Sequence, residues 1–88
     1  MLPIRLKTAR LRANLTQEKL GVLAGIEEAT ARSRISQYES GIHRPTFEMM
    51  CAFAKVLNVP ECYFYTVDDD FSEIILELYN GEIVQWAK

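Results

Sequence analysis

Two short helical patterns joined at a glycine, with little chain to spare between them, constrain this sequence more than any other feature. Thr16 can start the first, its side-chain oxygen capping a helix in which Leu20, Leu23 and Ala24 form an apolar face. Glu18 suits the positive end of that helix, and the pattern stops at Gly25. The spacing then predicts a second helix from Arg32 to Ser40, with Ile35 and Tyr38 inward and Gly41 ending it. Two helices so connected cross at a steep angle. Gly25 makes the turn without a Cβ to clash, and Ile26 and Ile35 fill the angle. That leaves Arg32, Ser33, Ser36 and Gln37 on the outward side of the second helix.

The flanking chain reads as further helices. Pro3 suits a first helical turn, and Leu6, Ala9, Arg10 and Ala13 follow at helical spacing until Asn14, which tolerates the left-handed conformation of helix ends. Ile26 to Ala29 carries no clear period. After the Gly41–Pro45 loop, Thr46 can cap a fourth helix with Phe47, Met50, Phe53, Ala54 and Leu57, bounded by Asn58 and Pro60. A short helix through Tyr63-Phe64-Tyr65 comes next. Asp68-Asp69-Asp70 reads as a turn or solvated linker. Phe71, Ile74, Ile75 and Leu78 then share a face of a sixth helix, stopped by Asn80-Gly81, and Ile83-Val84-Gln85-Trp86 has strand propensity. The fold class is all-α: a five-helix domain over residues 1–66, then an extension over 67–88 with one helix and a short strand-like tail. The absence of long strands with Gly-rich turns argues against a nucleotide-binding α/β fold.

An 88-residue chain supports one modest core. Apolar stretches fall short of a bilayer span, and Met1-Leu2-Pro3-Ile4-Arg5 does not read as a secretory leader, so the expectation is a soluble cytoplasmic protein with no membrane partner. Cys51 and Cys62 have neither disulfide-framework nor metal spacing and are expected to pack as small apolar residues. His43 stands apart from other ligands, so no metal and no cofactor are expected. The net charge of −2 is unevenly placed: residues 1–46 hold eight basic and four acidic side chains, residues 47–88 two and eight. The chain is a dipole whose basic half can face phosphate while the acidic half turns away or meets a partner.

Residues Leu15-Thr16-Gln17-Glu18-Lys19-Leu20, Ala24-Gly25-Ile26, Ile35-Ser36-Gln37-Tyr38-Glu39-Ser40-Gly41 and Arg44-Pro45 together resemble the XRE family, the helix-turn-helix domains of phage repressors and Cro proteins. The likeness covers about residues 3–65 and implies a repressor-like fold that reads the major groove of double-stranded DNA. On that reading Arg32, Ser33, Ser36 and Gln37 contact bases, since Arg pairs with guanine O6 and N7 and Gln with adenine N6 and N7. Taken alone, the same four residues are an ordinary solvated helix face. The resemblance places Gln17 on the DNA backbone. Thr16 caps the same helix start and leaves its N–H groups aimed at a phosphate, so it is expected at the backbone too, and Arg44, in the loop that flanks the groove, is a further expected phosphate contact. It also pairs Arg10 with Glu39 across the core, a structural role, since a buried charge needs a partner.

One departure bears on these assignments. Nine residues, Ile26 through Arg34, separate Gly25 from Ile35, about four more than the family pattern carries and close to one helical turn. They either extend the recognition helix or lengthen the turn, and Glu27 and Glu28 within them are expected to face away from phosphate. No arrangement of catalytic groups is present, so the chain reads as a non-enzyme. The expected function is a DNA-binding transcriptional regulator, a repressor acting as a homodimer. The alternative is a protein-interaction module such as the antitoxin of a toxin–antitoxin pair. The homodimer would pair Phe71, Ile74, Ile75, Leu78, Ile83, Val84 and Trp86 with the same segment of a second chain.

Overall fold

A computed structural model describes residues 1–81. Four α-helices are followed by a 3₁₀ helix and a fifth α-helix: α1 Pro3–Arg12, α2 Gln17–Leu23, α3 Glu28–Ser40, α4 Phe47–Leu57, the 3₁₀ helix Glu61–Tyr65, and α5 Asp69–Tyr79. The all-α expectation holds among these residues. The expected strand-like tail, with Ile83, Val84 and Trp86, lies outside them.

Local chemistry sets the boundaries. Pro3 sits in the first turn of α1, and Asn14 takes φ 57° just beyond its end. The hydroxyls of Thr16 and Thr46 accept from the backbone N–H of Lys19 (3.0 Å) and Met49 (3.1 Å), capping α2 and α4. Asn58 ends α4 in the left-handed conformation at φ 55°. Gly41, at φ 81°, closes α3, and the Ile42 N–H reaches back to the Gln37 carbonyl at 3.0 Å.

Three readings of the sequence need correction. Cys62 does not pack inside the domain but is exposed, while Cys51 is half-buried. Asp68-Asp69-Asp70 is not a linker: Asp68 caps α5, its Oδ1 accepting from the Phe71 N–H at 2.8 Å, and Asp69 and Asp70 form the first turn. A carboxylate there is stabilised by the unsatisfied N–H groups of the helix start. Phe47 does not join the core of α4; it stands at the first position of that helix and is exposed.

The core lies where α1, α2, α3, α4 and the 3₁₀ helix converge. Leu6, Leu20, Ala31, Ile35, Phe53, Tyr63 and Phe64 are fully buried, and Ile26 nearly so. Tyr38 meets Phe53 edge to face at 5.8 Å, a favourable ring geometry. The Leu2 N–H donates to the Phe64 carbonyl at 2.8 Å, tying the start of the chain to the 3₁₀ helix.

Candidate nucleic-acid interface

The candidate interface is built on the α2–α3 pair, and two glycines make that pair possible. Gly25 takes φ 97° at the turn, with open space around its Cα hydrogens, so its role is conformational. Gly21, inside α2, has a different role. A Cβ there would lie 2.7 Å from the Ala31 Cβ, closer than packed atoms approach, and 3.2 Å from the Ala31 carbonyl oxygen, a tight contact. Gly21 and Ala31 are the point where α2 and α3 cross in near backbone contact. Neither was singled out by the sequence. The signal was a glycine inside a helical pattern four residues before the turn glycine, with an alanine on the inward line of Ile35.

The nine residues between Gly25 and Ile35 resolve as a longer helix. α3 begins at Glu28 and runs thirteen residues, so the extra residues add a turn to its start instead of lengthening the loop. Glu27 and Glu28 stand exposed at that start, and Glu27 makes no side-chain cap. Ala31, Ile35 and Tyr38 face the core. Arg32, Ser33 and Ser36 are exposed and Gln37 half-buried along the outward side. The Ser33 hydroxyl donates to the Thr30 carbonyl at 3.1 Å. Arg34 turns elsewhere, donating to the Tyr38 hydroxyl at 2.7 Å and lying over its ring.

Arg10 and Glu39 form the expected pair. Arg10 Nε donates to Glu39 Oε2 at 2.6 Å and Nη2 to Oε1 at 3.2 Å, while Nη1 donates to the Leu15 carbonyl at 2.9 Å. Gln17 joins them: its Nε2 donates to Glu39 Oε1 at 3.1 Å. One network therefore ties α1, the α1–α2 turn, the start of α2 and the end of α3. It gives Gln17 a structural bond at the start of α2.

Thr16, Gln17 and Arg32 line one open cleft of ≈ 600 Å³ with Lys7, Arg10 and Glu18. The structure thus brings two of the expected phosphate contacts beside one expected base contact, and adds Lys7, which sequence reasoning passed over. Lys7 precedes Arg10 by one helical turn on α1, a spacing that puts both on one side. Arg44 is exposed in the loop beyond α3 and does not line this cleft.

The charge of the basic half is partly spent within the fold. Arg5 pairs with Asp69 at 2.8 Å and Arg12 with Glu73 at 2.9 Å, both on α5. Among the described residues Lys7, Lys19, Arg32, Arg34 and Arg44 form no ion pair, and all five are exposed.

The helix-turn-helix family profile matches residues 6–64, two thirds of the chain and the whole of the α2–α3 unit. The chain belongs to the helix-turn-helix family. It is the DNA-binding kind of domain that its XRE-like motif implies. This helix-turn-helix protein is also similar to the crystal structure of the transcriptional regulator BswR, at 36% identity and a TM-score of 0.89 over 99% of this chain and 92% of that one. That likeness runs past residue 64, so α5 is part of the shared architecture. No curated protein matches the chain. Among the described residues no helix is long and apolar enough to cross a membrane.

Proposed function

We propose that this protein is a sequence-specific transcriptional regulator of double-stranded DNA, a cytoplasmic repressor that binds its operator as a homodimer. The observation that carries the reading is the outward side of α3. It presents Arg32, Ser33, Ser36 and Gln37 on a helix locked by the Gly21–Ala31 crossing and the Arg10–Glu39–Gln17 network. A helix held that rigidly can offer donors and acceptors to base edges in a fixed register. Thr16, Gln17, Lys7 and Arg44 are the proposed backbone contacts, which position the helix without reading sequence. The similarity to BswR, a transcriptional regulator by its title, supports the regulatory role.

Pairing of two chains through α5 supplies the dimer. Phe71, Ile74 and Leu78 remain 53%, 43% and 37% exposed and Ile75 is half-buried. This is a row of apolar side chains on one helix that a two-fold axis would bury against itself. A lone helix-turn-helix reads few base pairs, and paired copies read half-sites about one helical turn apart.

Selection of duplexes from a random pool tests the proposal. Enrichment of an inverted repeat, with affinity falling as salt rises by a slope of roughly −0.9 per phosphate contact, is the expected result. A pool that stays random at low salt would remove it.

A further inference from the structure

The α5 helix is not a loosely tethered arm, because one buried arginine of α1 holds the place where it begins. Arg5 lies within the domain with only 7% of its side chain exposed. Its Nε donates to the Thr66 carbonyl at 3.1 Å, and its Nη2 to the Val67 carbonyl at 3.1 Å and to Asp69 Oδ1 at 2.8 Å. Its guanidinium also lies 5.8 Å from the centre of the Tyr63 ring. One side chain thus fixes two successive carbonyls of the connector and the first turn of the helix that follows. The planar fork of arginine suits such a task, and an ammonium does not.

A second anchor fixes the direction. Arg12 Nη1 donates to both carboxylate oxygens of Glu73, at 3.0 and 2.9 Å. Arg5 and Arg12 are two turns apart on α1, and Asp69 and Glu73 one turn apart on α5. Between the two anchors Ser72 is 1% exposed, its hydroxyl satisfied by the Asp69 carbonyl at 2.6 Å. A small side chain there lets α5 lie close to the domain. The Arg12–Glu73 pair is half-exposed on both sides and is weakened by salt, whereas the carbonyl bonds of Arg5 are sheltered.

We propose that Arg5 is the positioning residue that fixes the angle between α5 and the recognition helix, and so sets the half-site spacing that a pair of these molecules accepts. The proposal rests on the reading that α5 pairs two copies. The lever is long enough for the effect. α5 has eleven residues, about 16 Å at the helical rise. A tilt of about 20° at its first turn moves its far end by about 6 Å, more than the 3.4 Å step between base pairs.

The test uses the full chain and a pool of paired half-sites whose spacing varies in single base pairs. The variants are Arg5→Met, Arg5→Lys and Asp69→Ala, compared at protein concentrations where sedimentation shows equal dimer content. Wild type should prefer one spacing. In Arg5→Met that preference over neighbouring spacings should fall by about tenfold, while preference within each half-site is unchanged. Arg5→Lys and Asp69→Ala should fall between. Asp69 is 89% exposed, so its loss leaves the core intact; if Arg5→Met does not fold, Arg5→Lys, which keeps the charge and loses the fork, decides the matter with Asp69→Ala beside it. Dimeric variants with the wild-type spacing profile would overturn the role of Arg5. Wild type that sediments as a monomer, with no spaced pairs enriched, would instead overturn the pairing reading itself.

Discussion

Replacing Arg10 by Met removes one half of a sheltered charge pair, and the structure says what is left behind. The side chains of Arg10 and Glu39 are 10% and 5% exposed. Glu39 receives two bonds from Arg10 and one from Gln17 Nε2. After Arg10→Met only the neutral Gln17 amide remains to a carboxylate with almost no access to water, and the Leu15 carbonyl loses its donor. Breaking a buried pair by removing one partner costs about 3–5 kcal/mol, and the surviving amide bond places this case near the lower end. For a domain of this size each kcal/mol moves Tm by about 4–8 °C, so the single variant should melt about 12–24 °C below wild type. The double variant Arg10→Met with Glu39→Leu removes the orphaned charge, and half-buried Gln17 can turn to solvent. It should recover at least half of the loss. Urea melts of wild type, the single variants Arg10→Met and Glu39→Leu, and the double variant measure the coupling directly. An Arg10→Met variant within about 0.5 kcal/mol of wild type, the usual range for surface changes, would show that the pair contributes nothing to the fold.

Gly21→Ala should destabilise by about 1–3 kcal/mol, because the added methyl meets the Cβ of Ala31 and overpacks the α2–α3 crossing; operator affinity should fall with it. Gly25→Ala has open space and only its positive φ against it, about 1–2 kcal/mol; a Gly21→Ala protein as stable as wild type in parallel urea melts would contradict the crossing argument. Tyr63 is fully buried and its hydroxyl finds no hydrogen-bond partner among the described residues, so Tyr63→Phe should leave stability unchanged or raise it by about 1 kcal/mol. Burial raises the Tyr63 phenol above its ordinary value, so the unfolded chain ionises first and wild type should lose stability as pH climbs past about 10; Tyr63→Phe should lose less in alkaline melts, and an equal loss would count against it. Ile74→Glu with Leu78→Glu should leave a folded chain, since both residues are partly exposed, but one that sediments as a monomer at micromolar concentration; a persistent dimer would place the interface elsewhere.

The parts of the fold fixed by near neighbours were legible. Thr16 and Thr46 cap helices through bonds three residues long, Asn14 and Gly25 take positive φ, and Gly41 closes α3. Arg10 and Glu39 were legible through the family resemblance, since nothing local joins residues 29 apart. What escaped the sequence depends on chain that is distant. The acidic triplet at 68–70 reads as solvated because its cap acts over a few residues, but the partner of Asp69 lies 64 residues back, on α1. The start of α3 was hidden because Glu27 provides no side-chain cap, and the period from Glu28 to Ala31 shows only once Ala31 is set against Gly21. Lys7 gains its place beside Gln17 and Arg32 only from the packing of α1 against α2 and α3. The basic balance of residues 1–46 also misled in part, since Arg5 and Arg12 point to α5.

In the proposed function the outward side of α3 reads base sequence, while the residues around it only hold the DNA backbone. Parallel selections from one random duplex pool, with wild type, Gln37→Ala, Gln17→Ala and Arg44→Ala, test it most directly. Gln37→Ala should lose about 1–3 kcal/mol on the wild-type site and relax preference at a single base pair. Gln17→Ala and Arg44→Ala should bind every sequence more weakly and keep the wild-type preference. If Gln37→Ala enriches the same sequences as wild type with the same discrimination at every position, Gln37 does not read a base and the assignment of the α3 face fails with it.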